Sequence, residues 1–286
     1  MSSMSGVSYI EKILGSRELL YTLLLLSVIL PIIHPLGIPI EVSKRTRDVY
    51  SYIETNLRQE CHVYIEVYYE VAARGELEPN LIALTKHLFD KNCKIVYGSL
   101  SAFGVIAFSL FRSMASDLFE DKVYGRDYVY LGYIAGGEAA AASLARSIKG
   151  TISVDNFGNR LEDLPLMKEV DKATDFNLVV IASSGTDVFA YYVRQWHTPY
   201  NVPLLFAALS VIAPSIEPFV GAKQAVGMLV GQRSAAEYEV LVGRLGLGIA
   251  SMDAQSTSHM LIVAFIGIGN ILYWGKRLSS RRGGGK

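Results

Sequence analysis

KIVYGSLSAFGVIAFSLFRSMASDLFE, residues Lys94 to Glu120, contains one full step of the fold. Its first seven residues are nearly continuous in apolar and aromatic side chains. Such a run suits a strand buried on both faces rather than one wetted on alternate residues. The twenty that follow read as a helix-like segment. The same pairing recurs on both sides. HVYIEVYY (62–69) is followed by PNLIALTKHLFD (79–90), and YVYLGYI (128–134) by GGEAAAASLARSI (136–148). NLVVIAS (177–183) is followed by TDVFAYYVRQW (186–196), and VPLLFAALS (202–210) completes five strand runs before a helical stretch at AAEYEVLVG (235–243). Strands alternating with helices predict a parallel sheet covered on both faces, an α/β domain of Rossmann-like or flavodoxin-like form.

Both ends of the chain read differently. LLYTLLLLSVILPIIHPLGIPI, Leu19 to Ile40, and AQSTSHMLIVAFIGIGNILYWG, Ala254 to Gly275, each run 22 residues without a formal charge. At 1.5 Å per residue, roughly 20 helical residues cross a hydrocarbon core of about 30 Å. The second run closes on Tyr273 and Trp274, then Lys276 and Arg277, the order a membrane–water boundary favours. The expected organisation is a tail (1–18), a transmembrane helix (19–40), the α/β domain (41–253), a second transmembrane helix (254–275) and a basic tail (276–286). Basic residues near the spans divide seven on the tails (Lys12, Arg17, Lys276, Arg277, Arg281, Arg282, Lys286) against four on the domain side (Lys44, Arg45, Arg47, Arg244). By the positive-inside rule the chain sits in the cell membrane with cytoplasmic tails and an extracytoplasmic domain. Lys44, Arg45 and Arg47 locally run against that bias.

SVILPIIHPLGIPIEVS (27–43), the strand–helix alternation and TPYNVPLLF (198–206) together resemble uncharacterised prokaryotic membrane proteins that carry a Rossmann/flavodoxin-like domain between two transmembrane helices. The resemblance implies the architecture and carries no activity with it.

Cys61 and Cys93 open the first and second strand runs. If those strands are parallel neighbours, their starts lie about 4.8 Å apart, and the cysteines can form a disulfide suited to an oxidising exterior. Two small buried thiols are the alternative. In open α/β sheets ligands bind beyond the strand carboxyl ends. Gly136 and Gly137 there open a small-residue helix whose amides suit a phosphate or carboxylate, although the spacing departs from G-x-G-x-x-G and Glu138 follows directly. Ser183, Ser184, Thr186 and Asp187 form a second candidate ligand-binding group, with helix capping as their ordinary role. The first strand loop, YYEVAARGELEP (68–79), carries Glu70, Glu76 and Glu78 where a flavodoxin binds its flavin phosphate, which disfavours that cofactor.

No cofactor or metal is implied. HExxH, CxxC and GxxxxGK[ST] are absent, and the five histidines are scattered. With 27 basic and 27 acidic residues the net charge is zero, so no global field recruits nucleic acid. The expected partners are the lipid bilayer and a second copy or another membrane protein. Gly267, Gly269 and Asn270 in the second span offer close helix contact and an amide that bonds between helices. The sequence therefore predicts a membrane-anchored domain that assembles, scaffolds or senses a small ligand. The alternative is an enzyme or transport accessory acting on a nucleotide or small anion at the strand ends. No reaction is legible.

Overall fold

The structure is a computed structural model that describes residues 16–283. The expected N-terminal tail up to residue 15, with Lys12, and the final Lys286 lie outside the described residues. The chain divides into Ile40–Gly248 and a second unit made of both chain ends.

Ile40–Gly248 is an α/β unit built on a six-stranded, wholly parallel sheet. Its strands are β1 (His62–Tyr68), β2 (Lys94–Ser99), β3 (Tyr128–Tyr133), β4 (Leu178–Ser183), β5 (Leu204–Ala208) and β6 (Gly227–Val230), in the order β3-β2-β1-β4-β5-β6. That is the Rossmann order, not the flavodoxin one, and the winding reverses between β1 and β4. The longer helices of this unit are α1 (Lys44–Asn56), α2 (Arg74–Asp90), α3 (Gly104–Met114), α4 (Glu138–Arg146), α5 (Asp187–Tyr192), α6 (Ala213–Gly221) and α7 (Gly231–Leu241).

Alternation along each strand sorts the core into two layers. Val63, Ile65 and Val67 of β1 point to one face, where Val49, Leu81, Leu84, Phe108 and Tyr238 pack on them from α1, α2, α3 and α7. Tyr64 points to the other, against Phe176, Tyr192 and Trp196, in a layer that also holds Leu144, Phe189 and Ile216. Both faces are thus dry, which is why the strands read as continuous apolar runs. β6 has only four residues, GMLV, and no strand was expected there. The cysteines are bridged: Cys61 and Cys93 form a disulfide with Cα atoms 4.4 Å apart, and Lys94 N donates to Cys61 O beside it.

The other unit pairs the helix Arg17–Ile33 with a helix that runs Leu247–Gly283. Within the latter, Leu247–Gly275 is long and apolar enough to cross a membrane. Its Val263, Ile266, Ile271 and Trp274 are exposed, as are Leu25, Leu30 and Ile33 of the first helix. The second apolar helix therefore begins before Ala254 and takes in Asp253, the residue at which the domain was expected to end. Asp253 is buried and accepts hydrogen bonds from Gly37 N (2.8 Å) and Ile38 N (3.1 Å) in the chain that follows the first helix. Thr257 Oγ1 donates to Ser27 O (2.7 Å), and Ser27 and Ser258 hydroxyls meet at 3.3 Å. The two helices are joined by a polar seam inside an apolar exterior.

Candidate functional site

The carboxyl ends of β1, β4, β5 and β6 surround a cleft of about 420 Å³. It lies at the switch point where open α/β sheets admit ligands. Glu70, Ala72 and Ala73 line it from the β1–α2 connection, Gly75 and Glu76 from the first turn of α2, Ser184 from the loop after β4, Leu209 from just past β5 and Gln232 from α7. Its far wall is pinned. Glu76 Oε2 accepts from Ser210 N (2.8 Å) and Ser210 Oγ (2.7 Å), and Asn80 Nδ2 donates to Gly231 O (2.9 Å). Gly231 has φ +64°, and a Cβ there would run into Ser210 Oγ and lie 2.9 Å from Glu76 Oε2. Only glycine permits that wall.

The electrostatics are acidic. Among the described residues Glu70 and Glu76 have no cationic partner. Arg74, the nearest base in the chain, donates its Nε to Glu78, whose side chain is 2% exposed. Burial raises the Glu78 carboxyl, and Arg74 offsets part of that rise. The phosphate-binding glycines of a dinucleotide site are replaced by Val71–Ala73, a single 3₁₀ turn.

A second polar group lies under the same strand ends. Glu66 of β1 is fully buried. Its Oε1 accepts from Leu100 N (2.6 Å), and its Oε2 is met by Tyr192 OH (2.8 Å) and Tyr64 OH (3.2 Å). Burial pushes its carboxyl up to about 7, against the lowering effect of the Leu100, Tyr192 and Tyr64 hydrogen bonds. No cation faces it among the described residues. The sequence reading overlooked Glu66, although a lone acid inside HVYIEVYY was the available signal. Its partners come from β2's exit and from α5, which no local pattern announces.

Ser184 is the candidate residue that lines the cleft. Ser183 is buried and closes its own loop: its Oγ donates to Gly185 O (2.8 Å) and accepts from Gly185 N (2.9 Å). Thr186 precedes α5 without a side-chain capping bond, and Asp187 accepts from Tyr191 OH (3.0 Å). Gly136 (φ +122°) and Gly137 (φ +54°) make the turn into α4. Glu138 then takes a bidentate pair from Arg194, both contacts 2.7 Å, plus Gln195 Nε2 at 2.9 Å. These donors, Arg194 first, hold its carboxyl down to about 2. The Gly136 turn and the Asp187 helix are thus tied by an ion pair, with α4's first turn already occupied by a carboxylate. Gly267 and Gly269 are exposed, with no atom within 4 Å of where a Cβ would stand, and Asn270 Nδ2 donates to Ile266 O (2.8 Å) in its own helix.

The described geometry defines a Rossmann-ordered α/β unit with an acidic cleft at its switch point. Compared with protein families, curated proteins and solved structures, the chain matches none of them.

Proposed function

We propose that this chain is a membrane-anchored ligand-binding domain, a sensor or transport accessory that takes a small polar ligand without negative charge in the cleft between β1 and β4. The observation that carries this reading is the cleft itself: a concave site at the switch point, with Glu70, Glu76, Ser184 and Gln232 converging over Ala73 and Leu209. Its carboxylates oppose a nucleotide or other anion there. It brings together acceptors and an amide but no paired nucleophile and base among its lining residues, so we read binding rather than catalysis.

Two spanning helices anchor the domain in this reading. Arg17–Ile33 is 17 residues, roughly 26 Å at 1.5 Å per residue, and its exposed leucines and isoleucines suit lipid. The Cys61–Cys93 bridge supports an oxidising, extracytoplasmic side, in agreement with the charge count. Self-association along the C-terminal helix is a second reading, favoured by the exposed glycines Gly267 and Gly269.

The test is a thermal-shift panel on the full-length chain in detergent, spanning amines, amino acids, sugars and nucleotides. A stabilising, non-anionic ligand is expected, and Gly75→Leu, which fills the cleft from an exposed position, should abolish its effect. No shift with any compound, or a shift unchanged by Gly75→Leu, rejects the reading.

A further inference from the structure

A separate cleft of about 410 Å³ opens where the first turns of α1 and α7 converge. Ser43, Arg45, Val230, Arg233, Ser234 and Glu237 line it. α7 is an 11-residue helix that starts after Val230 with no side-chain capping bond, so its first-turn amides are donors with the positive end of the helix dipole behind them. Ser234 is 7% exposed and lines the cleft, yet among the described residues its hydroxyl has no hydrogen-bond partner. Its oxygen is not sealed from solvent, so the hydroxyl opens to the cleft and is free to bond there.

The charges favour an anion. Arg45 and Arg233 flank the cleft. Arg45 pairs with Glu217 at 2.8 Å, but both side chains are largely exposed, and such pairs exchange readily. The lining includes one acid, Glu237, which is already satisfied. It accepts from Ser43 Oγ (2.6 Å), Thr46 Oγ1 (2.6 Å) and Arg233 Nε (2.9 Å). Arg233 spends only its Nε on that contact and keeps its two terminal nitrogens, on a side chain that is 67% exposed.

We propose that this cleft binds a phosphate group. The Arg233 amide in α7's first turn and the Ser234 hydroxyl donate to its oxygens, and Arg45 and Arg233 balance its charge. The phosphate is either a free phosphate or phosphomonoester, or the headgroup of an anionic lipid. Arg45 lies only five residues beyond the end of the apolar run at Ile40. Phosphate recognition also gives a role to Arg45, one of the three basic residues that run against the charge bias of the tails.

Hydrogen exchange at the amides of Gly231 to Ser234 tests this on the full-length chain. One arm adds inorganic phosphate in nonionic detergent, against chloride at equal ionic strength. The other compares nanodiscs of phosphatidylcholine alone with nanodiscs that include phosphatidylglycerol. Slowed exchange with inorganic phosphate supports a free ligand, and slowing only with phosphatidylglycerol supports a lipid headgroup. Arg45→Gln and Ser234→Ala should each weaken the effect by on the order of tenfold. Arg233→Gln should do so too, but it also removes a Glu237 partner, so the exposed Arg45 decides if that variant misfolds. No protection in either arm, or protection unchanged in Arg45→Gln and Ser234→Ala, overturns the proposal.

Discussion

Replacing Glu66 by Gln should remove most of the dependence of domain stability on pH between about 5 and 8. The carboxyl is raised from 4.5 to about 7, chiefly by burial. A group whose folded value lies above its unfolded value stabilises fully below the unfolded value, and that contribution is lost as pH rises through the folded one. The rise of about 2.5 units, at about 1.4 kcal/mol per unit, amounts to about 3 kcal/mol. For a unit of about 200 residues that corresponds to a Tm lower by roughly 6–12 °C once the pH is well above 7. Gln is nearly isosteric and keeps both functions of the side chain: an oxygen for Leu100 N and hydrogen-bonding contact with Tyr192 and Tyr64. The assay is thermal unfolding of the full-length chain in detergent from pH 5 to 9. It is followed by near-ultraviolet circular dichroism, because Tyr64 and Trp196, 5.2 Å apart, report on this layer. His87 acts with the opposite sign. Burial holds it below its usual value despite its Glu54 hydrogen bond, so its contribution is lost as pH falls below 6.5. Comparing the two proteins at each pH cancels that effect. Equal slopes in wild type and Glu66→Gln would refute the argument that a desolvated Glu66 dominates this window.

Other outcomes follow from the same geometry. Reducing the Cys61–Cys93 bridge, which closes a separation of 32 residues, should cost about 4 kcal/mol, and urea unfolding with and without reductant measures it. Asp253→Ala should loosen the helix pair more than Asp253→Asn, because Asn keeps an acceptor for Gly37 N or Ile38 N; disulfide trapping of Ser27→Cys with Ser258→Cys reads the difference. Gly231→Ala should destabilise the domain by about 1–3 kcal/mol and displace the Ser210–Glu76 wall, which thermal unfolding and ligand shift would both register. A drop below about 0.5 kcal/mol would mean that the wall yields freely.

Five strands were legible because burial on both faces leaves a local record: HVYIEVYY, KIVYGSL, YVYLGYI, NLVVIAS and VPLLFAALS are apolar nearly throughout. The sixth was not, because Gly227–Val230 is too short, and too close to helical neighbours, to show a period. The apolar ends were equally plain, since hydrocarbon-length runs without charge are a one-dimensional property. What no stretch of sequence states is who stands beside whom. Strand order β3-β2-β1-β4-β5-β6 decides that the crevice opens between β1 and β4. It also decides that Ser184 faces Glu70 and Gln232 while Ser183 turns inward. Long-range packing likewise brings Leu100 and Tyr192 to Glu66, and Arg45 to the start of α7. Side-chain chemistry and periodicity are written locally, so the sequence by itself determined the α/β class and the apolar ends. Desolvation and charge pairing depend on neighbours far along the chain, so only the tertiary structure decided the crevice, the raised Glu66 and the uncapped cleft.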